Sequence, residues 1–211
     1  MNNKKKILPV REEELSPLHR ILLHTSTTVT EVLRQWTNSN IVIVKPPINT
    51  CFLYDDLKKH KLYFECIDVR KNGEDKFWLR EVILRNANTK RNLVYAFSLI
   101  NLQNISKRVY YKLEHTDYGI GMIIEQERLE TYREIEEFKK IKVKEFIFFR
   151  KIFPSANKYI LHRAYNMFHD KKLWFTINEY YPSEPEHFDF QVSDADKKRI
   201  LDYSRDILKK E

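Results

Sequence analysis

Tyr159-Ile-Leu-His-Arg-Ala-Tyr-Asn-Met-Phe-His-Asp-Lys-Lys-Leu-Trp-Phe-Thr-Ile-Asn-Glu-Tyr-Tyr181 is the stretch on which the fold turns. Two runs rich in aromatic and β-branched residues, Tyr159 to Phe168 and Leu173 to Tyr181, flank the polar tetrapeptide His169-Asp170-Lys171-Lys172. Such a pair of runs split by a short polar turn reads as a β-hairpin. Successive side chains of a strand point to opposite faces. One face of the first run therefore carries Tyr159, Leu161, Arg163, Tyr165 and Met167. One face of the second carries Leu173, Phe175, Ile177, Glu179 and Tyr181. Each apolar row holds one charge, and a charge buried without a partner is very costly. Pattern alone favours an internal ion pair between Arg163 and Glu179 across the hairpin, because structural networks also bury charges. The alternative is a site in which arginine meets the carboxylate of a bound small molecule, for which its two-pronged head is well shaped. Glutamate would then meet a hydroxyl of that molecule or take its proton.

The same alternation recurs upstream. In Phe77-Trp-Leu-Arg-Glu-Val-Ile-Leu84, Trp78, Arg80, Val82 and Leu84 share a face, and Phe77, Leu79, Glu81 and Ile83 share the other. The internal alternative here pairs Arg80 with Glu81 or another neighbour. Strands are expected at Leu62 to Val69, Lys76 to Arg85, Asn92 to Asn101 and Phe146 to Phe153. The first third reads as helical. Ser16 caps a helix with Pro17 at its first position, running to His24. Thr28-Val-Thr-Glu31 has capping-box spacing and opens a second helix through Trp36. Ile41 to Val44 is a short strand or extended arm ahead of Pro46-Pro47. Leu129, Tyr132, Ile135 and Phe138 recur every three residues, which points to a helix from about Glu125 to Lys140. The strands follow one another without alternating helices. The expected class is α+β, one antiparallel sheet with helices packed on one side.

The chain of 211 residues fits a single domain over 1–211, with a flexible N-terminus at 1–14 and a C-terminal helix at 193–211 capped by Ser193. With 42% hydrophobic and 32% charged residues, wholesale disorder is excluded. No run approaches a membrane span, and the start of the chain lacks the apolar stretch of a signal peptide. A cytoplasmic protein without membrane contact is expected. Cys51 and Cys66 have neither zinc nor redox spacing and read as small buried apolar residues. The seven histidines show no metal-ligand spacing, so no metal is expected. The excess of 38 basic over 30 acidic residues favours anionic partners. The basic residues form no tract, and the aromatics alternate with aliphatics as core residues do. A small anionic ligand is therefore preferred to nucleic acid. Of three glycines, Gly73 reads as a hairpin turn. Gly119 and Gly121 sit together in Tyr118-Gly119-Ile120-Gly121, a loop whose backbone N–H groups could meet an anion.

Together these segments resemble the chorismate pyruvate-lyase family. Phe77 to Leu84 is similar to the family's Trp/Tyr-Leu-Arg-Glu-Ile-Leu-Leu strand, and Val94 to Ile100 to the strand after it. Tyr118-Gly119-Ile120-Gly121 resembles the loop that closes the pocket, and Arg128-Leu-Glu-Thr-Tyr-Arg133 the family's helix motif. His162-Arg-Ala-Tyr165 and Ile177-Asn-Glu-Tyr-Tyr-Pro182 resemble the last hairpin. The helical opening is most similar to the archaeal and cyanobacterial branch. The resemblance implies a sheet also used by effector-binding domains of some transcription regulators. It implies cofactor-free conversion of chorismate into 4-hydroxybenzoate and pyruvate. It places Arg80 on the ring carboxylate with help from the backbone of Ile120 and Gly121, and Glu179 on the ring hydroxyl. Arg163, with Tyr165 beside it, falls where a cation would meet the second carboxylate. Met122 stands where the family often has a basic residue. The alternatives from other classes are a non-catalytic sensor of aromatic acids and a basic nucleic-acid or partner-binding module.

Overall fold

The computed structural model describes residues 7–25, 28–45, 50–53, 76–145, 147–156 and 158–188. Its strands are β1 (Ile7–Pro9), β2 (Ile41–Val44), β3 (Thr50–Leu53), β4 (Lys76–Asn86), β5 (Asn92–Asn101), β6 (Tyr132–Lys142), β7 (Tyr159–His169) and β8 (Lys172–Pro182). Among the described residues they form one antiparallel sheet in the order β1-β6-β7-β8-β5-β4-β2. β3 shares β4 with β2, pairing with its first half (Lys76 to Leu79) while β2 takes its last residues (Ile83 to Asn86). The β7–β8 hairpin turns at Asp170 and Lys171, whose φ angles are +49° and +61°. Two consecutive left-handed residues match the twist of the flanking strands.

The helices are α1 (Pro17–His24), α2 (Val29–Thr37), α3 (Lys107–His115), α4 (Ile120–Gln126) and α5 (Ile147–Ile152). Ser16 and Thr28 cap α1 and α2 as their spacing predicts, accepting from the N–H groups of His19 and Glu31. Ser106 caps α3 in the same way.

The face of the sheet with even-numbered β4 residues and odd-numbered β7 and β8 residues is covered at two ends. Leu18, Leu22, Leu23, Leu33 and Trp36 of α1 and α2 pack on Leu84, Val94, Leu161 and Tyr181. Val109, Leu113 and Ile123 of α3 and α4 pack on Trp78, Ile100, Met167 and Phe175. These four helices lie on one side, as expected. The sheet is also covered on its other face, where Phe149 of α5 and Phe153 pack on Tyr95, Phe97, Ile160 and Tyr180.

Two elements differ from the sequence expectation. The region read as a helix from Glu125 to Lys140 is the end of α4, a turn and the long strand β6. Its three-residue spacing of apolar positions is not helical: Arg133 and Ile135 share a face, and a bulge between Ile135 and Glu137 shifts the alternation so that Phe138 joins them. Arg128 to Arg133, likened to a helix motif, is likewise the approach to this strand. Phe146 to Phe153, read as a strand, contains α5 instead; its short apolar run fits either state. At the N-terminus, where flexibility was expected over 1–14, Ile7–Pro9 pairs with Lys139–Ile141 and Glu12–Glu14 forms a 3-10 turn. The strand expected at 62–69, the turn at Gly73 and the helix at 193–211 lie outside the described residues, as does Cys66.

Candidate functional site

The register places the three expected charges on a single face. Arg80 lies opposite Ser98 and Val82 opposite Ala96. Ala96 and Ser98 face Glu179 and Ile177 of β8, and these face Arg163 and Tyr165 of β7. The floor of the site is therefore made by the small residues Ala96 and Ser98, flanked by Arg80 on one side and Glu179 on the other. With one strand between them and a two-residue offset, the Cα atoms of Arg80 and Glu179 are roughly 12 Å apart. Ala96 and Glu179 retain 8% and 7% exposure, whereas Val94 and Ile100 on the same face of β5 have none. Solvent thus reaches the sheet between the two helix pairs.

Arg80 is 2% exposed, and among the described residues it has no carboxylate within ion-pair distance. Its Nη2 donates to the carbonyl of Tyr118 at 2.8 Å. Its Nε is buried with no hydrogen-bond partner among the described residues. Burial pulls its pKa down to about 10, against the attraction of Asp117, so the guanidinium stays charged at neutral pH. Glu81 is not its partner: adjacent strand residues point to opposite faces, and Glu81 accepts from the Tyr95 hydroxyl behind the sheet.

Glu179 is held by a clamp of donors. Arg163 approaches its Oε2 with Nε at 2.8 Å and Nη2 at 2.6 Å. Tyr181 donates to the same oxygen at 2.5 Å, and Tyr165 donates to Oε1 at 3.2 Å. A carboxylate has about four lone-pair sites, so Oε2 is saturated and Oε1 keeps one acceptor position. Burial and the neighbouring Glu179 charge push both tyrosine hydroxyls well above their usual pKa, which keeps them protonated donors. Burial alone would lower the Arg163 pKa, but Glu179, assisted by the two tyrosines, raises it overall.

Arg163 is occupied on its remaining side too. Its Nη1 donates to the carbonyls of Leu23 and Thr25, at 3.1 Å and 3.2 Å, at the end of α1. The structure thus realises the internal pairing that pattern alone favoured. Arg163 holds Glu179 in place through Nε and Nη2.

Tyr118-Gly119-Ile120-Gly121 is not a loop at its glycines. Gly119 is the N-cap of α4, and Ile120 and Gly121 form its first turn. Neither glycine has positive φ. Gly121 is small for a packing reason: a Cβ there would lie 2.2 Å from Cγ2 of Thr28. The N–H groups of Ile120 and Gly121 are first-turn amides, which have no intrahelical acceptor. They stand two and three residues from the Tyr118 carbonyl that Arg80 engages.

One charged residue of this face escaped sequence reasoning. Arg133 of β6 lies opposite Met167, two residues from the Tyr165 position. Its guanidinium sits 5.4 Å from the Tyr165 ring centroid, and that of Arg163 sits 4.7 Å from the same ring. Its Nη1 also donates to the Thr25 carbonyl, at 3.3 Å. The missed signal is the two-residue alternation Arg133–Ile135, hidden by the helix-like spacing of the neighbouring apolar residues. Among the described residues no group of histidine, cysteine, aspartate or glutamate side chains could hold a metal ion. No described helix is long and apolar enough to cross a membrane.

A family model described as "Chorismate pyruvate-lyase Rv2949c-like" matches residues 53–189. No curated protein matches the chain. Among solved structures, gene product SA0254 from Staphylococcus aureus covers 81% of this chain and 96% of its own, at 8% identity and a TM-score of 0.48. The effector domain of PhnF from Mycobacterium smegmatis covers 75% and 90%, at 12% identity and 0.46. A GntR-family transcriptional regulator from Bacillus cereus covers 72% and 97%, at 13% identity and 0.47.

Proposed function

The chain belongs to the Rv2949c-like chorismate pyruvate-lyase family, and from that premise we propose that it converts chorismate into 4-hydroxybenzoate and pyruvate without a cofactor. The observation that carries this reading is the pair of opposed heads on one buried face. Arg80 offers an unpartnered Nε, and Glu179 offers one open acceptor site on Oε1, with Ala96 and Ser98 between them. A six-membered ring with a carboxylate at one end and a hydroxyl at the other fits that polarity.

In this reading Arg80 and the Ile120 and Gly121 amides receive the ring carboxylate. The ring hydroxyl donates to Glu179 Oε1. The ether bond to the ring then breaks with its electron pair moving to the enolpyruvyl oxygen. The carbon bearing the hydroxyl loses its proton, the ring becomes aromatic, and the proton ends on the methylene carbon of pyruvate. Atoms and charge balance with no water and no oxidant. Aromatisation supplies the driving force, so positioning and charge neutralisation account for much of what the protein must add. The clamp on Glu179 favours an orienting acceptor over a proton shuttle, since donors from Arg163, Tyr181 and Tyr165 fix both of its oxygens in place. A cytoplasmic location fits this substrate.

The same clamp also suits a purely binding role, and that is the second reading: a sensor of aromatic acids. Incubation with chorismate separates the two. The lyase forms 4-hydroxybenzoate and pyruvate in equal amounts; a sensor binds the acid and leaves chorismate unchanged.

A further inference from the structure

The buried serine and threonine hydroxyls of the described residues are, with one exception, hydrogen-bonded. Thr37 donates to the Leu33 carbonyl at 2.8 Å, Ser39 to Asn86 Oδ1 at 3.0 Å and Thr176 to Asn166 Oδ1 at 2.7 Å. Ser98 is just as buried, at 4% exposure, and its hydroxyl has no hydrogen-bond partner among the described residues. A buried hydroxyl left in that state is costly. β4 and β8 flank β5 along this stretch, so the backbone ladder already engages the neighbouring carbonyls. Space alone does not call for a hydroxyl here. Ala96, two residues earlier on the same face, keeps the floor open without one.

The position of this hydroxyl gives it a use. Ser98 lies directly opposite Arg80 in the β4–β5 register, and the Cα atoms of such a pair are about 4.5–5.5 Å apart. Arg80 spends Nη2 on the Tyr118 carbonyl. Its Nε, the guanidinium nitrogen nearest its own strand, is the buried donor without a partner. Two donors thus stand at one end of the floor, and neither meets an acceptor among the described residues. Glu179 does not serve them. The register sets it opposite Ala96, and Arg163, Tyr165 and Tyr181 hold its oxygens. A carboxylate brings two oxygens that accept side by side, which suits a pair of neighbouring donors.

We propose that the Ser98 hydroxyl donates to the ring carboxylate of the ligand beside Arg80 Nε, one donor to each oxygen. The inference rests on the lyase reading for the ligand's identity, and it deepens that reading by adding a neutral contact to the charged one. Chorismate and 4-hydroxybenzoate both carry the ring carboxylate, so Ser98 holds substrate and product alike. Such uniform binding lowers KM and does not speed the chemical step. It selects acids over rings that lack the carboxylate.

The test compares wild type with Ser98→Ala, with circular dichroism and thermal melting to establish that the variant folds. Calorimetry gives the affinity for 4-hydroxybenzoate and, by competition, for phenol, the same ring without the carboxylate. Turnover gives KM and kcat for chorismate. Ser98→Ala is expected to weaken 4-hydroxybenzoate binding about tenfold and to raise the chorismate KM about as much, without lowering kcat. Phenol affinity should stay within about twofold, since phenol never made the contact. The melting temperature should hold or rise, because an unpartnered buried hydroxyl is removed. Equal weakening for 4-hydroxybenzoate and phenol, unchanged 4-hydroxybenzoate affinity, a loss confined to kcat, or a fall in melting temperature each overturns the assignment. If wild type binds both acids but leaves chorismate intact, and Ser98→Ala weakens both acids while sparing phenol, the lyase reading fails and this inference stands. If wild type turns chorismate over and Ser98→Ala binds 4-hydroxybenzoate as wild type does, the reverse is true. Binding of neither acid by wild type overturns both.

Discussion

Arg163 and Glu179 face each other across the β7–β8 hairpin, with Nε and Nη2 of the guanidinium both within 2.8 Å of one carboxylate oxygen. The pair is almost wholly buried, and Tyr165 and Tyr181 complete the donors around the glutamate. Removing one member leaves the other charged and unpaired in an apolar row, which costs about 3–5 kcal/mol. Arg163→Met should lose that much stability in urea unfolding, and Arg163→Met with Glu179→Met together should lose less than Arg163→Met alone. Additive losses would mean the two residues do not act as a pair.

Arg80 predicts the opposite balance. Its charge is buried without a paired carboxylate among the described residues, and burial draws its pKa to about 10. Arg80→Met relieves that cost and should leave the thermal midpoint unchanged or raised. The same change should lower chorismate affinity by about a hundredfold, through loss of the charge-assisted contact. A large fall in melting temperature would assign Arg80 to the core instead of the ligand.

Gly121 packs α4 against the start of α2. A Cβ there meets Thr28 Cγ2 at 2.2 Å and Cβ at 3.0 Å. Gly121→Ala should cost about 1–3 kcal/mol and weaken ligand binding, because α4 carries the Ile120 amide and adjoins the Tyr118 carbonyl. Thr28→Ser removes Cγ2 and keeps the hydroxyl that caps α2. It should restore part of the loss; no restoration would place the strain elsewhere.

Two buried histidines make stability depend on pH. His162, behind the sheet, donates from Nε2 to Asn178 Oδ1 at 2.8 Å and stacks on Tyr180. His19 bridges Ser16 and the Pro182 carbonyl. Burial, partly offset by these hydrogen bonds, lowers each pKa from 6.5 to about 4. The unfolded chain therefore binds protons between these values that the folded chain refuses. Stability is full above about pH 6.5 and falls toward pH 4, by up to roughly 3 kcal/mol for each histidine. Urea midpoints across that range should show the decline, and His162→Gln should reduce its slope. An unchanged slope would remove His162 from the account.

Alternation alone located much of this site. A charge every second residue among apolar neighbours put Arg80, Arg163 and Glu179 on the right faces, because a strand's period does not depend on its partners. The caps at Ser16 and Thr28 were equally plain, since a hydroxyl three residues ahead of an amide is local chemistry. What alternation could not say was whether Arg163 would meet a ligand or Glu179. That depends on register, and on α1 bringing the Leu23 and Thr25 carbonyls to its other side. Arg133 was hidden for a different reason. Tyr132, Ile135 and Phe138 fall three apart in the sequence, which mimics a helix, although Tyr132 lies on the opposite face and only the bulge brings Phe138 onto that of Ile135. The role of Gly121 was also out of reach, because its neighbour Thr28 is distant in the chain.

The most direct test of the central claim is to incubate the purified protein with chorismate and resolve the products by chromatography. The account predicts equimolar 4-hydroxybenzoate and pyruvate with wild type, and neither above background with Arg80→Met or Glu179→Gln. Intact chorismate with wild type, another hydroxybenzoate isomer, or full activity in both variants would contradict it.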